Sequence, residues 1–226
     1  SGYGFHEVFV ETPYHNKQWQ DFSKSEFAGV FRMYRERYED LINRPNIQYV
    51  MLFKNYGKAG GASLVHSHSQ ILATTFLPTR VMKDISTIAD YTKKCFSCPF
   101  CDIVEKEHRS ERLVFENKKF ITLSPFCARY PFELWVLPKD HLSDISDINI
   151  KLFADIIERT IKAMFRTIGN FPFNMFIHHL PNKLEAEFHL HVGIQPRLKT
   201  EASVELGYGT KVNTIKPEKV AKLLRE

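Results

Sequence analysis

Apolar residues fall into two kinds of pattern along the chain. Phe27, Val30, Phe31, Tyr34, Tyr38, Leu41 and Ile42 recur at helical spacing, behind a Ser23/Glu26 capping-box pair and before a stop at Asn43 and Pro45. Leu152, Phe153, Ile156, Ile157, Ile161, Met164, Phe165 and Ile168 repeat the stripe, closed by Gly169 and Asn170. Each stripe is a core face and leads to a short apolar run, residues 47–53 and residues 173–177, that predicts a strand. Residues 4–10 read as a further strand, and residues 112–115 and 120–123 as a hairpin turned at Asn117 and Lys118.

These elements form one unit used twice. Glu7, Val10 and His15 map onto Glu133, Val136 and His141 with a constant offset of 126, and a His-x-His pair follows each apolar strand, His66/His68 and His189/His191. Antiparallel strands with a helix packed on one face of each unit make the fold class α+β. The boundary is expected near residues 80–95, giving units 1–88 and 89–226. The first unit lacks the front hairpin of the second, so that piece is expected upstream of Ser1, and the 226 residues are read as most of a longer enzyme.

Composition changes this picture little. Hydrophobic residues make up 43% and charged residues 25%, the balance of a globular protein. A net charge of +5 without a Lys/Arg block argues against nucleic acid and suits small phosphate-bearing ligands. The absence of an apolar run of about 18 residues argues against a membrane span, and no signal peptide is recognised, so the expected compartment is the cytoplasm.

Residues 55–70 carry the chemistry. Gly57, Gly60 and Gly61 allow tight turns whose N–H groups are expected to cradle phosphate oxygens, with Lys58 and Ser63 beside them. On a following strand His66, His68 and Gln70 share one face. A neutral imidazole is a competent nucleophile at phosphorus, and donors such as Ser63 and Gln70 can hold the non-bridging oxygens. Attack by such a nucleophile predicts ping-pong chemistry through a covalent intermediate.

Cys98, Cys101, His141 and His189 make a Cys2His2 set suited to a closed tetrahedral zinc site. The cysteines are read as lying in a polar lead-in to the hairpin, which favours metal over redox chemistry. The same offset assigns His15 and His66 to a partial first site whose cysteines fall outside the chain. Cys95 is an alternative to Cys98 or Cys101, and His178 or His191 could join Asp84 in a different site; the other reading of His178, His179 and His191 is hydrogen bonding alone. Cys127 is expected to be a small buried residue.

Together these residues resemble the galactose-1-phosphate uridylyltransferase family, the nucleotidyltransferase branch of the histidine-triad superfamily. The resemblance rests on the segment from Glu7 to His15, on residues 55–70 with Gly61-Ala-Ser63 before His-x-His-x-Gln, on Cys98 and Cys101, on residues 124–141, and on residues 188–197. It implies two histidine-triad-like units, with His68 as the nucleophile and Gln70 bonding the phosphate. Asn55, Gly61 and Ser63 would line the nucleotide, and Tyr208 the sugar segment. It implies zinc at Cys98, Cys101, His141 and His189, and His15 and His66 as ligands of a first metal. The implied reaction moves UMP from UDP-glucose to galactose 1-phosphate in a homodimer. Ser67 stands where better-known members carry Pro, a variation that resembles the ADP-glucose phosphorylase relatives, which release glucose 1-phosphate through an adenylyl-histidine, and Gly209 stands where galactose-binding members carry Glu. Further alternatives are a non-catalytic nucleotide-binding zinc module and a simple hydrolase.

Overall fold

Eight strands form a single antiparallel sheet in the computed structural model, which describes residues 3–226. Along the chain the elements are β1 (Gly4–Val10), α1 (Lys24–Ile42), β2 (Tyr49–Tyr56), β3 (His68–Thr74) and α2 (Thr79–Cys95). Then come α3 (Pro99–Glu107), β4 (Leu113–Glu116), β5 (Phe120–Leu123), β6 (Leu134–Pro138) and α4 (Ile150–Ile168). The last are β7 (Phe173–His178), β8 (His191–Pro196), α5 (Ser203–Tyr208) and α6 (Pro217–Arg225). The order across the sheet is β1-β3-β2-β7-β8-β6-β5-β4, so β1, β3 and β2 repeat in mirrored sequence as β6, β8 and β7. The two units meet at β2 and β7, where Leu52 pairs with Ile177 and Asn55 with Asn174.

The two long helices form where the apolar stripes predict them. Ser23 caps α1, its hydroxyl accepting from Glu26 N while the Glu26 carboxylate accepts from Ser23 N at 2.9 Å. Lys17 pairs with the same carboxylate, and these contacts hold the Glu26 carboxyl down at about 2. Asn149 caps α4 through Leu152 N. Both helices lie on one face of the sheet and touch at Phe31 and Phe153, whose ring centres are 4.6 Å apart. Full burial of each such side chain contributes about 1.5–3 kcal/mol, so this double stripe is the main source of cohesion.

Strand alternation decides what the other face carries. Along β3, Ile71 and Ala73 enter the core beneath the helices, which turns His68, Gln70 and Leu72 to the opposite face. Over the second unit that face is covered by α3, whose Phe100, Ile103 and Val104 pack on Ile121, Leu123 and Leu137. Over β1 it stays open, and Val8 and Val10 are exposed. The segment 80–95, read as a boundary, is the helix α2. The hairpin of β4 and β5 forms as expected, with Asn117 Oδ1 accepting from Lys119 N and Phe120 N across the turn.

Candidate active site

A cleft of about 660 Å³ opens where β2 ends and β3 begins, walled by Asn55, Tyr56, Lys58, Ser63, His66 and His68 among others. His68 is the first residue of β3 and is 5% exposed. Its Nδ1 lies 2.9 Å from the His66 carbonyl, a contact only Nδ1–H can make, so Nε2 of the neutral ring carries the lone pair.

His66 does not share a strand face with His68 as expected, for it sits in the bend before β3. Side chains hold this stretch in place of ladder bonds. The Gln18 amide donates to Val65 O at 2.7 Å, and His66 Nε2–H donates to Thr12 O at 2.7 Å. His66 Nδ1 is thereby left as an acceptor, 3.4 Å from His15 Nδ1. Two imidazole nitrogens facing each other this closely are an arrangement a shared cation would relieve.

The glycine loop is not the open nest the sequence suggested. Residues Lys58–Gly60 form a 3₁₀ turn, and the N–H groups of Gly60, Gly61 and Ala62 are taken by Gly57 O, Lys58 O and Gly57 O. Two of the glycines are required by packing on the second unit. A Cβ on Gly57 would stand 2.9 Å from Pro172 Cβ, and one on Gly60 2.8 Å from Phe173 O. Gly61 turns the chain at φ 81°, with the Asn55 side-chain nitrogen beside it. Asn55 is itself set from the second unit: Asn174 Nδ2 donates to Asn55 Oδ1 at 2.8 Å and to Gly60 O at 2.7 Å.

Gln70 lies two residues beyond His68 on the same face, outside the cleft walls, and its Oε1 accepts from exposed His6 Nε2–H at 2.8 Å. That contact directs the Gln70 amide hydrogens elsewhere. Tyr208, at the end of α5, is 86% exposed and is not brought to the cleft.

The proposed Cys2His2 residues converge. Their donor atoms all lie within 4.8 Å of one another, with Cys101 Sγ 3.3 Å from His141 Nδ1 and 3.5 Å from His189 Nδ1, and Cys98 Sγ 3.8 Å from His189 Nδ1. Bond lengths of about 2.3 Å to sulfur and 2.0 Å to nitrogen give tetrahedral edges of roughly 3.5 Å, so the set fits a zinc ion. His189 Nε2–H is held by Pro138 O at 3.0 Å, which leaves Nδ1 free to ligate. Burial and the neighbouring Cys98 push the Cys101 thiol up to about 12, so thiolate here calls for a cation. The cysteines do not lie in a hairpin lead-in: Cys98 caps α3, with Pro99 at its first position. Cys95, at the end of α2, is exposed and outside the cluster, and Cys127 is exposed as well, not buried.

Asp84, His178 and His191 also converge, donor atoms within 4.8 Å. Burial lowers the His178 ring to about 2 and the His191 ring to about 4, so both are neutral at pH 7. Buried His179 lies between two backbone carbonyls that accept from its ring N–H, Val50 O 2.6 Å from Nε2 and Leu180 O 2.8 Å from Nδ1.

Residues 10–226 match a family described as "Domain of unknown function (DUF4921)". A galactose-1-phosphate uridylyltransferase of Thermotoga maritima is 33% identical over 237 residues, a match covering 99% of this chain and 74% of the relative. The chain belongs to the galactose-1-phosphate uridylyltransferase family. Membership sets it among nucleotidyltransferases. An ADP-glucose phosphorylase of Arabidopsis thaliana is 31% identical over 232 residues, and the chain spans all of its own length but 65% of that relative. The crystal structure of an Arabidopsis thaliana ADP-glucose phosphorylase with bound ADP-glucose superposes with a TM-score of 0.92 at 29% identity, covering 99% of this chain and 72% of that one. A solved uridylyltransferase gives 0.91 at 29% identity, over 97% and 73%.

Sequence reasoning passed over Glu11 and Lys54, which form a buried ion pair behind His68 with Nζ and Oε2 2.6 Å apart. A signal was present. Lys54 falls in phase with Val50 and Leu52, the inward-facing positions of β2, where a charge needs a partner. Gln18 and Asn174 carried no comparable mark.

Proposed function

We propose that the chain transfers UMP from UDP-glucose to galactose 1-phosphate through a covalent uridylyl-His68. The observation that carries this reading is the His68 ring, its Nδ1–H tied to the His66 carbonyl at 2.9 Å and its Nε2 lone pair at the wall of a cleft. In the first half-reaction Nε2 attacks the α-phosphorus, the P–N bond forms and glucose 1-phosphate leaves with the electron pair of the P–O bond. In the second, the phosphate oxygen of galactose 1-phosphate attacks, and the nitrogen recovers its lone pair. Asn55, Gly61 and Ser63 line the nucleotide in this reading, and the Gln70 amide donates to a phosphate oxygen as charge grows.

Cys98, Cys101, His141 and His189 would hold zinc, which supplies structural closure with no open coordination position. His15 and His66 would contribute to a first metal, with further ligands from elsewhere. Tyr208, exposed at the end of α5, is suited to serve the sugar end of a second protomer's cleft in a homodimer. Exposed thiols at Cys95 and Cys127 favour a reducing, cytoplasmic setting, and among the described residues no helix is long and apolar enough to cross a membrane.

A second reading, ADP-glucose phosphorylase, is favoured by Gly209, which closes α5 in a left-handed turn at φ 67° with no carboxylate to receive a galactose hydroxyl. Intact-mass measurement separates the two. A uridylyl adduct after UDP-glucose supports transfer and an adenylyl adduct after ADP-glucose supports the phosphorylase; His68→Ala should abolish either. Absence of both adducts would overturn covalent catalysis.

A further inference from the structure

Glu11 and Lys54 are buried completely, their side chains 0% and 1% exposed, behind the strand that presents His68. Trp19 and Tyr34 exclude water from the site, with Lys54 Nζ 4.8 Å from the centre of the Trp19 ring. Burying a Lys–Glu pair is unfavourable unless every group finds partners, and apolar residues of similar volume are often as stable. Here the partners are found, and they all belong to one short segment. Lys54 donates to Glu11 Oε2 at 2.6 Å, to Ser67 Oγ at 3.3 Å and to the His68 carbonyl at 2.9 Å, which uses all three ammonium hydrogens. The Glu11 carboxylate accepts from Lys54, from Ser67 Oγ at 2.6 Å and from Ser69 Oγ. The backbone joins in, since Glu11 N donates to Ser67 O at 3.1 Å and the adjoining Thr12 carbonyl receives His66 Nε2–H at 2.7 Å. The bonds of the pair fall on the two residues flanking His68 and on the His68 carbonyl, at the point where β3 begins.

We propose that Glu11 and Lys54 are positioning residues for the His68 nucleophile, gripping Ser67 and Ser69 so that the His66 carbonyl stays on Nδ1–H and Nε2 stays turned to the cleft. The pair carries no net charge, and the role assigned to it is geometric. Ser67 thereby gains a role: its hydroxyl both donates to Glu11 and accepts from Lys54, a link an apolar residue at that place could not make. The proposal rests on His68 as nucleophile only for its kinetic consequence.

The test uses the full chain carrying Glu11→Gln or Lys54→Met, with two readouts. The first is the ¹⁵N chemical shifts of the His68 ring, which report its tautomer without any substrate. The second is the rate of nucleotidyl adduct formation from UDP-glucose or ADP-glucose beside the dissociation constant of the same sugar nucleotide. The expected result is a single Nδ1–H tautomer in the wild type, a mixed population in the variants, and an adduct rate lower by about 100-fold with affinity changed less than about threefold. A variant that keeps the wild-type tautomer, or the wild-type adduct rate, overturns the proposal. Should either variant fail to fold, Ser67→Ala/Ser69→Ala keeps the ion pair and its bond to the His68 carbonyl but removes its hold on the two flanking hydroxyls, and the same two readouts decide, with a rate loss of about tenfold expected. If the wild type forms no adduct, the nucleotidyl reading fails, while the tautomer still decides the clamp.

Discussion

The two His-x-His segments share one backbone device and face opposite circumstances. His68 Nδ1 lies 2.9 Å from the carbonyl two residues back, and His191 Nδ1 lies 3.0 Å from His189 O. Both rings are therefore set with Nε2 free. His68 borders an open cleft, whereas His191 stacks against Phe100 at 4.5 Å and His178 at 4.8 Å, with Trp135 and Phe188 nearby. A tautomer lock is thus not sufficient for reactivity: both rings are largely buried, 5% exposed for His68 and 7% for His191, but His68 forms a wall of the cleft while Phe100 of α3 stacks on His191. His189 meanwhile points its free nitrogen at Cys98 and Cys101, while its counterpart His66 points at His15.

The largest test of this contrast is His68→Ala, expected to lower adduct formation by more than about 1,000-fold, against His191→Asn, expected to leave it within about threefold and to cost about 1–3 kcal/mol of stability in urea unfolding. Equal losses from both would erase the distinction. Next, if zinc closes the Cys2His2 set as proposed, Cys98→Ser should abolish metal binding and lower the melting temperature by roughly 6–12 °C, corresponding to about 3 kcal/mol, as read by calorimetry with metal analysis. Phe100→Ala should then uncover His191 to diethyl pyrocarbonate, a modification read by peptide mass, at a stability cost of about 2 kcal/mol for a half-buried ring. In the wild type His191, buried under Phe100, should react slowly.

The last effect is on pH. His178 and His191 have folded-state values below 6.5, held there by burial, so the unfolded chain binds more protons than the native one as pH falls. Their contribution is intact above pH 6.5 and is lost below it, at about 1 kcal/mol per pH unit for each ring while the native ring remains neutral. Urea midpoints of chelator-treated protein at pH 7, 6 and 5 should therefore decline, and His178→Phe should flatten the decline.

Legibility followed the strength of local patterns. The stripes from Phe27 and Leu152 are wide enough to fix both long helices, and the constant offset exposed the duplication without any structure. The helix α2 escaped because only Val81 and Ile88 are buried along its 17 residues, leaving no stripe to see. Cys98 and Cys101 looked like part of a lead-in to the hairpin, whereas Pro99 between them is an ordinary first residue of a helix. The glycine loop was misjudged for another reason. Its glycines answer to Pro172 and Phe173, more than 100 positions away, and no local reading can supply such a neighbour. That the two units share one sheet depends likewise on the pairing of β2 with β7.

That seam has a kinetic consequence. Asn55 reaches its set position only when Asn174 arrives beside it, and Gly60 only when Phe173 does. Contacts between residues so far apart in sequence carry a loop-closure cost and form late. During refolding from denaturant, helix content and the hairpin of β4 and β5 should return first, and catalytic competence should lag until β7 zips onto β2. A partly folded chain would hold the histidine before Asn55 and Gly60 are set beside it, so reactivity arrives as the last property the molecule acquires.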